Sequence, residues 1–391
     1  MAVMRIARVS TVPYFMTALL AGQLESLLRG GASVTVITSP GPELEGLRAK
    51  LPSLGIETVD IARRVSPLRD LLALVRLFLA LRRGRFDIVH STTPKAGLLC
   101  AIAARLAGIP VRLHTFTGQP WVHMRGPLRW LARWSDRLVV GLNTHCWADS
   151  ESQRRFLVEQ GIAAAARLSV VGPGSVAGVD LERFDPARFP EADRLALRKR
   201  LGVPAEVPVL LFVGRLTADK GVRELLTAFQ ALKAAGSPAH LVLAGPLDPD
   251  SGAGGGISGS DLSGVRDAHP VGHVDSPESY MAMADVLCLP SYREGFGSSV
   301  IEAAAMGVPA VGTRIYGLSD AVADGTTGVL VPPRDAAALA AALEGLLAGE
   351  ERRREMGRAA RRRCAELFDS RRINGLLAEE YRALLRASAG A

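Results

Sequence analysis

Short apolar runs alternate with helix-length amphipathic segments along almost the whole chain. In the first half the runs are MRIARV, SVTVIT, IETVDI, FDIVHS, VRLHTF and RLVVGL, separated by segments such as MTALLAGQLESLLRG and KAGLLCAIAARLAG with helical spacing of apolar positions. Each run reads as a strand and each segment as a helix. A loop rich in Gly, Pro and acidic residues, VGPGSVAGVDLERFDPARFP, interrupts the alternation. It resumes with VPVLLFVG, a helix from Val222, HLVLAGP, HPVGHV, DVLCLPS, a helix from about Ser298, VPAVGT and TGVLVPP, and then three helices. Such alternation predicts mostly parallel sheets covered by helices. The expected fold class is α/β, with two doubly wound, Rossmann-like domains at 1–182 and 183–391 facing a central cleft. The last helix is expected to pack back on the first domain. Ligands of doubly wound sheets sit beyond the carboxyl ends of the strands, so the cleft is the expected site.

With 391 residues, 48% of them hydrophobic, the chain can bury two good cores. Four scattered cysteines, Cys100, Cys146, Cys288 and Cys364, form no metal-ligand spacing and fit a reducing, cytoplasmic setting. No metal is expected. The most apolar stretch, LLALVRLFLALRR, is broken by Arg76, and no spanning segment is predicted. The net charge of +8 lies in the first half, where 23 Lys and Arg face 14 Asp and Glu up to Asp185. Such asymmetry suits nucleic acid, an anionic membrane face or a phosphorylated ligand. Because only five of the 47 basic residues are Lys, an Arg-rich genome composition explains the excess equally well.

Chemistry concentrates at strand ends of the second half. After VLLFV comes GRLTADKG, where Gly214 permits a tight exit and Arg215 and Lys220 place two cations suited to a diphosphate. After DVLCLPS comes REGFGSSVIEAAAMG. There Gly295 and Gly297 let backbone approach a ligand, Phe296 lies between them, and Ser298 and Ser299 open a helix whose free N–H groups suit a phosphate. Two carboxylates, Glu294 before the helix start and Glu302 one turn inside, can each accept hydrogen bonds from paired hydroxyls. Phosphates flanked by two polyols describe a nucleotide sugar. Singly, each residue reads as an ordinary cap or surface group; together they favour the ligand.

These residues resemble the retaining nucleotide-sugar glycosyltransferases of family four, with the GT-B fold. The marks are GRLTADKG, EGFGSSVIEAAAMGVPAVGT, GVDLERF, ADSESQ and GLSDAVADGTTGVLVPP, and the likeness covers nearly the whole chain. It implies Arg215 and Lys220 on the donor diphosphate, Glu294 on donor-sugar hydroxyls and Glu302 on the ribose. It also implies retention of anomeric configuration, a UDP-sugar donor and no essential metal or cofactor. DPD at Asp248 to Asp250 reads as a turn rather than a metal triad. Retention without an enzymic nucleophile points to front-face attack, the departing phosphate taking the acceptor proton under electrostatic stabilisation.

The first half is then expected to bind the acceptor. His114, Thr115, Thr117 and Gly118 lie at the end of VRLHTF. Relatives carry a His immediately before the glycine, where this chain has Thr117; His114 either replaces it catalytically or is a packed strand-end histidine. Thr11 and Tyr14 belong to the loop STVPYFM, expected over the diphosphate, and Lys95 opens a helix, either to meet an acceptor phosphate or to cap it. Trp121 is also expected on the acceptor side; with Trp130 and Trp134, interleaved with Arg, it suits a membrane interface, whereas RRVSPLRDLLALVRLFLALRRGR reads as a core helix with a solvated rim. HTFTGQPW resembles bacterial enzymes that build lipid-linked surface polysaccharide, which implies a polyprenyl-diphosphate saccharide acceptor and a peripheral position at the inner face of the plasma membrane. The rival readings are a nucleotide-sugar epimerase and a non-catalytic saccharide- or lipid-binding protein of the same fold. GGGISG from Gly254 to Gly259 lacks the strand context of a dinucleotide site and reads as a loop. Nucleic acid binding leaves the paired carboxylates unexplained.

Overall fold

A computed structural model of the chain describes residues 3–62, 65–248 and 257–390. Its first half runs β1 (Arg5–Val9), α1 (Ala21–Arg29), β2 (Ser33–Thr38), α2 (Glu43–Lys50), β3 (Gly55–Thr58), α3 (Pro67–Gly84), β4 (Ile88–Thr92), α4 (Pro94–Leu106), β5 (Val111–Phe116), α5 (Gly126–Leu142), β6 (His145–Ala148), α6 (Glu151–Glu159) and β7 (Leu168–Val170). These strands form a parallel sheet of order β3-β2-β1-β4-β5-β6-β7. Then follow α7 (Glu191–Arg200), β8 (Val209–Val213), α8 (Val222–Ala234), β9 (His240–Ala244), α9 (Gly259–Leu262), β10 (Ala268–Gly272), α10 (Pro277–Ala282), β11 (Val286–Leu289), α11 (Ser298–Ala305), β12 (Ala310–Thr313), α12 (Leu318–Ala321) and β13 (Gly328–Val331). Three helices close the chain: α13 (Ala336–Ala348), α14 (Glu350–Leu367) and α15 (Ser370–Ala389). The second sheet is also parallel, in the order β10-β9-β8-β11-β12-β13.

Unbroken apolar runs build these sheets because helices cover both faces of a parallel sheet. In β8, Val209, Leu210, Leu211 and Phe212 are all fully buried, and β11 buries Val286, Leu287 and Cys288 in the same way. Fully burying one such aliphatic side chain contributes about 1.5–3 kcal/mol, so the central strands anchor the core. Both sheets are doubly wound, as the alternation predicts.

Two compact units result, one of Met1–Gly178 with Ser370–Ala391 and one of Val179–Asp369. The first therefore ends at Gly178 rather than at 182 and includes α15, which packs on α1. Tyr381 of α15 is fully buried; its hydroxyl accepts from Arg8 Nη1 at 2.7 Å, lies 2.6 Å from His90 Nδ1, and its ring stacks on Trp147.

Two elements differ from the periodicity reading. RLVVGL is the last part of α5, not a strand: a short apolar run cannot by itself distinguish a strand from a buried helical turn. The strand that follows is HCWA, β6, whose mixed composition hides it. MTALLAGQLESLLRG is not one helix either, because a π-helical turn at Phe15–Leu19 ends at Leu20 before α1 begins.

Candidate active site

In the second sheet β8 is flanked by β9 on one side and β11 on the other. The chain winds one way from β8 through β9 to β10 and the other way from β11 onward, which makes the gap between β8 and β11 the topological switch point where such sheets bind ligands. Arg215 and Lys220 leave β8 there, and Glu294 leaves β11.

The two loops are stitched together. Beyond β8, Gly214 leads to Arg215, then to a 3-10 turn at Ala218–Lys220, and Gly221 starts α8 in the left-handed region at φ 70°. A Cβ on Gly221 would lie 2.0 Å from the Pro290 carbonyl oxygen, so the close approach of the β11 loop requires glycine here. Tyr292 N–H donates to Asp219 O at 2.8 Å, and Arg293 Nη2 pairs with Asp219 Oδ2 at 3.2 Å. Thr217 Oγ1 donates to the other oxygen of Asp219 at 2.5 Å. Burial pushes the Asp219 carboxyl up, but that hydrogen bond with the charges of Arg293, Lys220 and Arg215 holds it below the usual carboxylate range. Asp219 thus pairs with Arg293 from the β11 loop and lies within the field of Arg215 and Lys220 from its own loop.

Lys220 Nζ donates to Glu294 Oε1 at 2.5 Å, and Ser291 Oγ donates to the same oxygen at 2.7 Å. Both side chains of the ion pair are largely buried, at 20% and 12% exposure. Lys220, expected on a diphosphate, and Glu294, expected on sugar hydroxyls, are thus hydrogen-bonded to one another. Arg215 is more open and pairs with Asp248 at 2.7 Å. Gly295, Phe296 and Gly297 are buried, Ser298 and Ser299 half-buried, and Gly297 caps α11 at φ 95°. Gly297 has no side chain with which to cap that helix; Val300 N–H bonds to the Gly297 carbonyl at 2.9 Å, and the N–H groups of Ser298 and Ser299 before it suit an anion.

Glu302 lies one turn into α11 with a different set of neighbours. Burial pushes its carboxyl up to about 7; the Arg183 charge pulls it down and the Glu278 charge adds to the rise. Arg183 is in turn held by Glu278 Oε2 at 2.8 Å and the Asp275 carbonyl at 3.0 Å. Arg183 belongs to GVDLERF, and Asp219 stands beside Lys220 in GRLTADKG, so the motif stretches already contained these supporting residues; only packing shows what they hold.

The first unit places its candidates less favourably. His114 is a packed histidine: it is 2% exposed, its Nδ1 lies 3.0 Å from Ser91 Oγ, and its ring meets Phe116 edge-on. A Cβ on Gly97 of α4 would come 2.4 Å from its Cε1, and burial pushes its imidazole down to about 3. The catalytic reading of His114 is therefore corrected to a structural one, the imidazole being sealed beneath α4. Lys95 is engaged by Asp70 at 2.6 Å and the Ala62 carbonyl at 2.7 Å, linking α4 to the start of α3. Trp121 is also interior: it is 1% exposed, donates from Nε1 to Asp136 Oδ2 at 2.7 Å and stacks on Phe156. It is thereby removed from the acceptor-side and interfacial candidates alike, whereas Trp130 and Trp134 remain exposed. Thr11 is buried with its hydroxyl 3.0 Å from that of Thr93; Tyr14 is exposed, Thr117 half-buried, and Gly118 buried at φ 106°.

Among the described residues no group of His, Cys, Asp and Glu side chains is arranged to hold a metal ion, and no helix is long and apolar enough to cross a membrane. Asp250 of DPD and Gly254 to Gly256 of GGGISG lie outside the described residues. Gly259 begins α9, whose N-terminus Ser258 and Asp261 cap with a capping box.

Compared with known proteins, residues 193–363 match the model described as glycosyl transferases group 1, and residues 16–174 match a glycosyl transferase 4-like domain. The capsular polysaccharide biosynthesis glycosyltransferase CapM of Staphylococcus aureus is 29% identical, covering 95% of each chain. A D-inositol 3-phosphate glycosyltransferase of Geodermatophilus obscurus is 33% identical over 79% of this chain and 69% of its own length. In fold, the chain is similar to sucrose-phosphate synthase from Thermosynechococcus elongatus, with a TM-score of 0.79, 22% identity and coverage of 98% and 100%. It is also similar to Anabaena HepE in complex with UDP and glucose, with a TM-score of 0.76, 18% identity and coverage of 96% and 99%.

Proposed function

Because the chain belongs to the group 1 glycosyl transferases, we propose that it moves a sugar, with retention, from a UDP-sugar to a lipid-linked saccharide in the assembly of a surface polysaccharide. The observation that carries the donor half is the gathering of Lys220, Arg215 and Glu294 at the switch point of the second sheet, beside the uncapped start of α11. Lys220, Arg215 and the α11 N–H groups take the diphosphate, Glu294 the sugar hydroxyls and Glu302 the ribose. HepE, solved with UDP and glucose, supports the choice of nucleotide. CapM, named for capsular polysaccharide biosynthesis, supports the acceptor class.

In this reading the acceptor hydroxyl attacks from the side the diphosphate leaves, and a departing phosphate oxygen takes its proton. Fixed cations and N–H groups stabilise the charge that develops on the diphosphate, which is where electrostatic preorganisation acts most strongly. No metal takes part in the proposal, and turnover unaffected by a chelator tests that. His114 and Lys95 have no role in the transfer step.

A panel of nucleotide sugars screened for thermal stabilisation and for sugar transfer to a polyprenyl-diphosphate saccharide tests the whole reading. One stabilising UDP-sugar with transfer and an unchanged anomeric configuration is expected. Isomerisation of the free donor would replace transfer by epimerisation, and no donor binding at all would leave a binding protein.

A further inference from the structure

Helix α3 is apolar on two opposite faces. Ala73, Leu77, Ala80 and Leu81 are buried against the sheet and its neighbours. On the other side Leu68, Leu71, Leu72, Val75 and Leu79 follow the spacing of a single helical stripe and are 84%, 59%, 50%, 47% and 48% exposed. An exposed apolar stripe flanked by arginines on a helix whose other face is already buried suits a lipid interface. The expected core helix is thus present, and its exposed rim carries a row of apolar side chains as well as arginines.

Helix α5 repeats the arrangement. Its inner side buries Asp136, Val139 and Val140, while Leu128, Trp130, Leu131 and Trp134 stand 66%, 66%, 53% and 48% exposed. Arg129, Arg133 and Arg137, four residues apart, line a shallow depression of about 440 Å³ beside Trp130. Arg133 and Arg137 are steadied by the carbonyls of Gln160 and Gly161 at 2.6 and 2.8 Å. Buried α4 packs against both helices, so α3 and α5 flank it in one layer, and faces opposite to their buried sides point away from the sheet.

We propose that the outer faces of α3 and α5 form one docking surface for an anionic lipid bilayer. Charge and shape select this occupant. The exposed apolar side chains are interleaved with Arg69, Arg76, Arg82 and Arg83 on α3 and with the arginine row on α5. Asp70 on α3 is taken by Lys95 and Asp136 on α5 is turned inward to Trp121, so neither acid offsets that charge, although Arg83 is itself paired with Glu57 at 2.8 Å. Apolar side chains with Trp at the level of a cationic fringe suit the boundary between acyl chains and negative headgroups. This deepens the lipid-linked part of the proposed function and rests on it for its biological sense, but its test requires neither donor nor acceptor.

The experiment is sedimentation of the full chain with vesicles of phosphatidylcholine alone and with phosphatidylglycerol added, comparing the unmodified protein with L68E/L72E and W130E/W134E. All substituted positions are exposed, so folding is retained, and thermal stabilisation by the donor sugar is measured alongside. Binding is expected to anionic vesicles only, to weaken as salt rises and to fall at least about tenfold in each double variant, the equivalent of about 1.4 kcal/mol. Equal binding to neutral vesicles, no binding at low salt, or binding unaltered in both variants would overturn the proposal. So would self-association of the lipid-free chain that both variants abolish, since a second copy would then be the occupant. Vesicle binding without donor stabilisation would instead leave the surface standing and remove the transferase reading.

Discussion

Lys220 and Glu294 approach to 2.5 Å across the gap between the loops that follow β8 and β11. Each is the other's counter-charge, and each is a proposed donor ligand. A donor that engages both must redistribute this hydrogen bond, with the diphosphate replacing Glu294 as the partner of Lys220 and sugar hydroxyls replacing Lys220 as the partner of Glu294. Lys220→Ala and Glu294→Ala are each expected to lower kcat/KM by at least about 10- to 150-fold, the loss of one charge-assisted hydrogen bond of about 1.5–3 kcal/mol. A variant with turnover like the unmodified protein would refute the donor assignment.

The same pair makes a stability prediction that separates geometry from catalysis. Removing one partner leaves the other charge largely buried, so the double variant K220A/E294A should lose less stability than the two single losses add up to. Thermal denaturation of all four proteins should give a coupling of about 0.5–3 kcal/mol. Strict additivity would mean that the pair contributes nothing to the fold.

Glu302 predicts the pH dependence. Its carboxyl is raised to about 7 in the folded protein, above the ordinary value of 4.5, chiefly by burial. Between these values the folded state holds a proton that the unfolded state has released, so stability from this group falls as pH rises through the window and the full cost is reached above 7. Glu302→Gln should therefore stabilise the protein at pH 8 relative to pH 5, by up to about 3 kcal/mol. Donor affinity should move the other way in the unmodified chain, strengthening as Glu302 ionises to accept ribose hydroxyls. Calorimetric titration with UDP at pH 5.5 and 8 measures it, and an affinity that the glutamine variant leaves equally pH-dependent would remove Glu302 from the ribose.

Gly297 is required by backbone and space together. It sits at φ 95°, and a Cβ there would lie 2.5 Å from Leu318 Cδ2. Gly297→Ala should cost about 1–3 kcal/mol and misplace the start of α11. Donor binding, followed by thermal stabilisation, should weaken more than the loss of stability alone accounts for; unchanged donor binding would separate α11 from the phosphate.

His114 should behave as packing. His114→Asn shortens the side chain but retains a polar group facing Ser91, and is expected to lower thermal stability while kcat stays within a few-fold of the unmodified enzyme. A loss of kcat on the scale of Glu294→Ala, at equal stability, would restore a catalytic role.

The doubly wound architecture and the loops proposed for the donor were legible because their signals are local: unbroken apolar runs, a glycine where backbone must turn, and charges standing next to strand ends. Arg215, Lys220 and Glu294 each follow a strand end within seven residues, so finding the strand places the residue. His114, Trp121 and the outer face of α3 were not legible in this way. Whether a strand-end histidine faces solvent or the underside of α4, whether a tryptophan meets a headgroup or Asp136, and which of two apolar helix faces is buried depend on neighbours far away in sequence. Periodicity reports that a face is apolar but not what covers it. The sequence by itself determined the alternation of elements and the chemistry at the ends of β8 and β11; tertiary structure decided which side chains reach open space, because burial is a property of packed surfaces rather than of residues.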